Sequence, residues 1–157
     1  MQFIPESIID QKATEIGETE DFTDLIQNLK DKQPALLAFL FSENFDLLTQ
    51  SEKDFTMFLT LVVWEAVLTI HPEQEFIAPE DVEAAEEANW EKLSENQSKG
   101  FRDKLDVFFE NTSQEDLLAF VEDALVQDEE DDMISPEGRE YVFITLKTII
   151  DCLDQAA

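Results

Sequence analysis

The chain has 157 residues, with 38 acidic side chains against 10 basic ones and a formal net charge of −28. That charge disfavours binding to nucleic acid or to an anionic membrane, since both need basic patches to displace counterions. A hydrophobic content of 43% with thirteen phenylalanines argues against wholesale disorder, and a lone cysteine, Cys152, leaves no internal disulfide framework.

Three glycines, five prolines and few alternating β-branched runs point to an all-α fold. The expectation is a single domain over 1–157, a compact bundle of about six to seven helices. No secretory apolar segment follows Met1-Gln2-Phe3-Ile4-Pro5, so a reduced, cytoplasmic setting is expected.

Taken in order, residues 6–16 suit a first helix with Ile8, Ile9, Ala13 and Ile16 on one side and Gly17 as its stop. Thr19 is the expected cap of a second, in which Phe22, Leu25, Ile26 and Leu29 fall on one face. Pro34 opens PALLAFLFS, which ends near Asn44 or runs on through Phe45, Leu47 and Leu48.

Ser51–Ile70 is the most apolar stretch: from Phe55 onward it carries one charge, Glu65. Ser51 with Asp54 reads as its N-terminal signature, and His71-Pro72 stops it. A membrane span needs about 20 apolar residues, and this run is shorter, interrupted and without a basic flank. It is expected to be the central buried helix. After it, Phe76 and Ile77 should pin an irregular loop to the core.

Pro79-Glu80-Asp81 opens a helix of a different kind, reaching about Asn96. Val82, Ala85, Asn89 and Leu93 form a narrow stripe with Trp90 on its flank, and acids fill most of the remainder. Helix 101–110 turns Phe101, Leu105, Phe108 and Phe109 inward, beside the only close basic group, Lys99, Arg102 and Lys104. Ser113 with Asp116 starts the next helix, whose core face is Leu117, Leu118, Phe120, Val121, Leu125 and Val126. The run Gln127 to Asp132 reads as a solvated loop, and Ser135-Pro136-Glu137 opens the last helix.

LLAF at 36–39 recurs at 117–120, and FLTLVVWEAVL at 58–68 resembles FITLKTIIDCL at 143–153. Phe22-x-Asp24 and Phe101-x-Asp103 precede them in the same order. The pattern suggests a three-helix unit used twice, 20–70 and 99–153, joined by the acidic helix 79–96 in a HEAT-like, helical-repeat layout. Val62 and Ala66 correspond to Lys147 and Asp151, so the last helix is expected to have a wet face that the 51–70 helix lacks.

Motifs for chemistry are weak. His71 is the only histidine, which leaves di-iron and zinc sites short of ligands, and a Ser-His or Cys-His arrangement could be built only around this one residue at a helix end, with nothing local to suggest it. Asp128, Glu130 and Asp132 alternate like calcium ligands, but Met133 and Arg139 stand where an EF-hand needs glycine and glutamate. No phosphate-binding glycine loop exists, and so many carboxylates make any acid pair uninformative. Glu65 is the one polar feature of the apolar helix, expected to leave through a gap between neighbours beside Thr69, the alternative being a buried acid with a role.

The expected function is therefore a non-enzymatic acidic module that binds another protein, a basic one by charge, with no cofactor or metal. A homodimer is compatible with the sequence. Glu80, Asp81, Glu83, Glu86, Glu87, Trp90 and Glu91 form the candidate interaction surface. The alternative is a nucleic-acid mimic that occupies a basic DNA- or RNA-binding site, with an enzyme or ligand site near Glu65 as a distant third.

Overall fold

A computed structural model describes residues 1–42, 45–95, 100–127 and 134–156. Asn44, Asn96, Lys99 and the acidic run 128–132 with Met133 lie outside the described residues. Eight α-helices are described, α1 (Glu6–Gly17), α2 (Thr23–Lys32), α3 (Pro34–Leu40), α4 (Gln50–Ile70), α5 (Pro79–Ser94), α6 (Phe101–Glu110), α7 (Glu115–Gln127) and α8 (Pro136–Ala156), with a 3₁₀ turn at Phe45–Leu47. The described residues contain no strand.

The helix number exceeds the expected six to seven, and one connector is very short. Gln33 alone separates α2 from α3, with φ −139° and ψ 69°, since the proline after it disfavours helical geometry. The PALLAFLFS helix stops at Leu40 and does not run on through Phe45.

Three expected caps are displaced. At α4 the working pair is Thr49 with Glu52, not Ser51 with Asp54: Glu52 N–H donates to Thr49 Oγ1 (3.2 Å) and Thr49 N–H to Glu52 Oε1 (2.9 Å). The longer glutamate can reach back to the cap's own N–H, which closes the box in both directions. At α2, Asp21 rather than Thr19 accepts from the first turn, through Thr23 N–H (2.9 Å). At α7, Thr112 accepts from Gln114 N–H (3.1 Å), while the Ser113 hydroxyl donates to Asp154 (2.8 Å).

The larger correction concerns the centre of the bundle. Every residue from Tyr141 to Ile150 is buried, Lys147 included, so α8 is more enclosed than α4 and has no wet face there. It packs against α4, α5 and α7, and the rings of Phe101 and Phe108 from α6 meet Phe143 edge-on at 6.4 and 5.2 Å. Around the middle of α8 the polar positions Lys147, Thr148 and Asp151 survive burial because they have partners, whereas the buried hydroxyls of Tyr141 and Thr145 make no hydrogen bond within ordinary geometry. Lys147 pairs with Asp151, and Asn89 of α5 donates to both Thr148 Oγ1 (3.2 Å) and Asp151 Oδ2 (3.1 Å). Helix α4 is nevertheless a core helix, burying Leu59, Leu61, Val62, Val63, Trp64, Ala66 and Val67. No described helix is long and apolar enough to cross a membrane.

Two segments outside the helices are tied down by side-chain amides. Gln33 is buried; its Nε2 donates to the Glu75 carbonyl (2.9 Å) and its Oε1 accepts from Ile77 N–H (3.0 Å). Ile77 is accordingly buried as expected, but Phe76 is 67% exposed and pins nothing. Gln114 does the same for the first residues, accepting from Ile4 N–H (3.0 Å) and donating to the Gln2 carbonyl (3.1 Å). His71 Nε2 accepts from Gln2 N–H (2.8 Å), which gives the lone histidine a structural task.

Candidate functional site

Helix α5 lies on α8, α3 and α6, burying Val82, Asn89 and Leu93 of its narrow stripe. Glu80, Asp81, Glu83, Glu87 and Glu91 are exposed, while Glu86 and Trp90 are half-buried. At about 100° per residue, Glu80, Glu83, Glu87 and Glu91 share one side with Trp90 and Glu86 at its edge. Asp81 turns to the opposite flank, where it lines a small groove with Cys152 and the end of α8. The candidate surface is thus split, with six of its residues brought together and Asp81 set apart.

Glu86 is the perturbed acid of this group. Burial raises its carboxyl above the ordinary range, a hydrogen bond from Trp90 pulls it back, and Glu83 pushes it further up. Beneath it lies Tyr141, whose phenol is raised first by burial, opposed by the hydroxyls of Ser42 and Thr145, with the Glu86 charge adding to the rise. Trp90 and Tyr141 help to line a depression of about 290 Å³ whose other walls are Leu47, Leu48, Glu52 and the first turn of α8. Leu47 stands 83% exposed at its lip.

The Glu52 side of this depression is polar and hydrogen-bonded. Glu52 is buried, and its Oε2 accepts from Ser135 N–H (3.1 Å) and Ser135 Oγ (3.2 Å). Its other oxygen closes the α4 capping box. Ser135 Oγ in turn accepts from Gly138 N–H (3.0 Å). One carboxylate therefore joins the N-termini of α4 and α8, a carboxylate at the positive ends of two helix dipoles.

Glu65 sits half-buried where α4 meets α1. Its carboxyl is raised by burial, lowered by Lys12, raised by Glu15 and lowered by Lys32. Thr69 donates to the Glu65 backbone carbonyl (2.8 Å), not to the carboxylate. Neither the depression beside Trp90 nor the groove beside Cys152 includes Glu65. Of the basic group beside α6, Arg102 pairs with Glu122 (3.3 Å) and Asp123 (3.2 Å) and Lys104 with Glu140 (2.7 Å), while Lys99 lies outside the described residues. Among the described residues, no group of three or more His, Cys, Asp or Glu side chains is placed to hold a metal ion.

Cys152 is buried on α8, and its thiol is pushed up to about 12, first by burial and then by the carboxylates of Asp151 and Asp81. The thiolate is the reactive form, so the native protein should resist iodoacetamide at mildly alkaline pH while the urea-unfolded chain is labelled completely. Equal labelling rates in the two states would contradict this burial.

Sequence reasoning located the acidic side of α5 and the flank position of Trp90, but it missed Leu47 and Tyr141 as their neighbours. Leu47 lies inside an apolar run that reads as core, and nothing in its spacing distinguishes an exposed leucine from a buried one. No protein-family model, no curated protein and no solved structure matches this chain.

Proposed function

We propose that the protein is a non-enzymatic acidic interaction module that engages a basic protein through the side of α5 facing the Phe45–Leu47 turn. The observation that carries this reading is the exposed row Glu80, Glu83, Glu87 and Glu91 beside a depression walled by Trp90, Tyr141 and Leu47. Interfaces commonly pair an apolar or aromatic centre with a charged rim, and Trp and Tyr dominate their energetics. A cytoplasmic setting and the duplicated three-helix layout belong to the same proposal. The ordered sequence matches support the duplication, while the neighbours of the two LLAF helices differ: α3 packs on α2 and α5, α7 on α1, α6 and α8.

Affinity capture at graded salt tests the module. Wild-type protein should retain a saturable, salt-sensitive basic partner that Trp90→Ala loses by about tenfold or more, the size of an interface hot spot. Equal retention by the variant, or no saturable partner at low salt, would overturn the assignment.

The mimic reading has one observation in its favour. Glu83, Glu87 and Glu91 are spaced by about 6 Å along the helix axis, comparable with two base steps of a DNA strand at about 3.4 Å each. Under that reading duplex DNA competes with the captured partner; a partner indifferent to DNA rejects it.

A further inference from the structure

The 3₁₀ turn Phe45–Leu47 divides two apolar depressions. Leu47 and Leu48 face the one beside Trp90; Phe45 and Asp46 line the other, a groove of about 480 Å³ between α2, α3 and α4. The walls of the second groove are Phe22, Ile26, Phe41, Phe45 and Met57. Phe41 is 54% exposed, and its ring stands edge-on to buried Phe45 at 5.3 Å. Among the described residues four large apolar side chains are exposed, Phe3, Phe41, Leu47 and Phe76, and of these Leu47 belongs to this turn and Phe41 packs on it through Phe45.

We propose that this groove receives the apolar stripe of a basic, amphipathic helical segment of the partner, which crosses the turn so that a second anchor reaches the Trp90 depression. The inference rests on the proposed function above and names the chemistry of its partner. Charge selects that occupant. Asp46 and Asp54 stand on the groove's rim against a single base, Lys53, whose ammonium lies 5.6 Å from the Phe45 ring centre. A second copy of this chain would bring another −28 of like charge to the contact, whereas lysines or arginines along the polar side of an incoming helix meet carboxylates on both sides of the turn. Two depressions on either side of one short turn suit two anchors from a single apolar stripe, as in helix-in-groove recognition.

The test uses a fluorescein-labelled peptide of leucine and lysine with its leucines on one helical stripe, and a second peptide of identical composition scrambled to break that stripe. At physiological ionic strength the striped peptide should bind the full chain about tenfold tighter than the scrambled one, and Phe41→Ala should remove that advantage, a loss in the hot-spot range. Lys53→Glu, which adds a carboxylate to the rim, should tighten the striped peptide several-fold at low salt. Equal binding of the two peptides, or an unchanged affinity in Phe41→Ala, overturns the inference. A natural partner that depends on Trp90 but is indifferent to Phe41→Ala also overturns it and leaves the proposed function standing.

Discussion

Glu52→Ala lowers the stability of the folded chain by about 3–5 kcal/mol, measured as a shift in urea midpoint at unchanged slope. The substitution removes one half of the capping box at α4, a loss of about 1 kcal/mol. It also strips two hydrogen bonds to a charged acceptor from Ser135 N–H and Oγ, each worth about 1.5–3 kcal/mol. The variant no longer carries the cost of burying a carboxylate, which brings the gross loss of about 4–7 kcal/mol down to the net value expected. A companion effect identifies the carboxylate as the cause. A Cβ placed on Gly138 would lie 2.0 Å from Glu52 Oε2 and 2.9 Å from both Glu52 Cδ and Ser135 Oγ. Glu52 is buried and held by Ser135 and Thr49, so it cannot swing away cheaply. Gly138→Ala alone should therefore cost about 2 kcal/mol, despite the gain of about 1 kcal/mol that alanine brings to a helix. In the Glu52→Ala background the 2.0 Å clash and the contact with Glu52 Cδ vanish, leaving Ser135 Oγ at 2.9 Å, and Gly138→Ala should then come within about 1 kcal/mol of neutral. Additive losses in the double variant would show that the glycine is needed for some other reason.

This junction illustrates which parts of the fold could be read from the chain alone. Helices α5 and α6 were legible because each carries one apolar stripe, and Pro79-Glu80-Asp81 marks the start of α5; the stripes Val82–Asn89–Leu93 and Leu105–Phe108 are buried as their periodicity requires. The connections between helices were not legible. Glu52 to Ser135, Gln33 to Ile77 and Gln114 to Ile4 are separated by 83, 44 and 110 residues, and a lone amide or acid in so acidic a chain has no spacing that announces its partner. The choice of central helix failed for a related reason. Lys147 and Asp151, one turn apart, resemble a solvated ion pair, and the arrival of Asn89 from α5 and Phe108 from α6 leaves the lysine buried and the aspartate partly so. At the candidate site, the acids of α5 were visible by composition, but the depression beside them needs Leu47 and Tyr141, which come from elements far away in sequence.

Asp151→Ala should cost about 3 kcal/mol, while Lys147→Met should stay within about 1 kcal/mol of wild type, because breaking a buried pair is costly chiefly for the charge left behind. The Lys147 side chain is 7% exposed and that of Asp151 is 29% exposed. Without Asp151 the ammonium keeps, among the described residues, the face of Phe108, whose ring centre is 5.9 Å away, a contact worth about 1–2 kcal/mol when desolvated. Asn89 loses an acceptor in the same variant. Without Lys147, by contrast, Asp151 retains the Asn89 amide and its access to water, and methionine fills the volume of the lysine stem. For a chain of this size the aspartate variant should melt about 6–12 °C lower, at about 2–4 °C per kcal/mol. The deficit should change little between low and high salt, since screening acts weakly on a buried charge. A solvated pair on a wet face would behave differently, with both variants costing under about 1 kcal/mol and the difference fading with salt. Two small, salt-sensitive losses would thus return α8 to the surface and α4 to the centre of the bundle. A large, one-sided and salt-insensitive loss keeps α8 at the centre, with the acidic helix α5 held against it by Asn89.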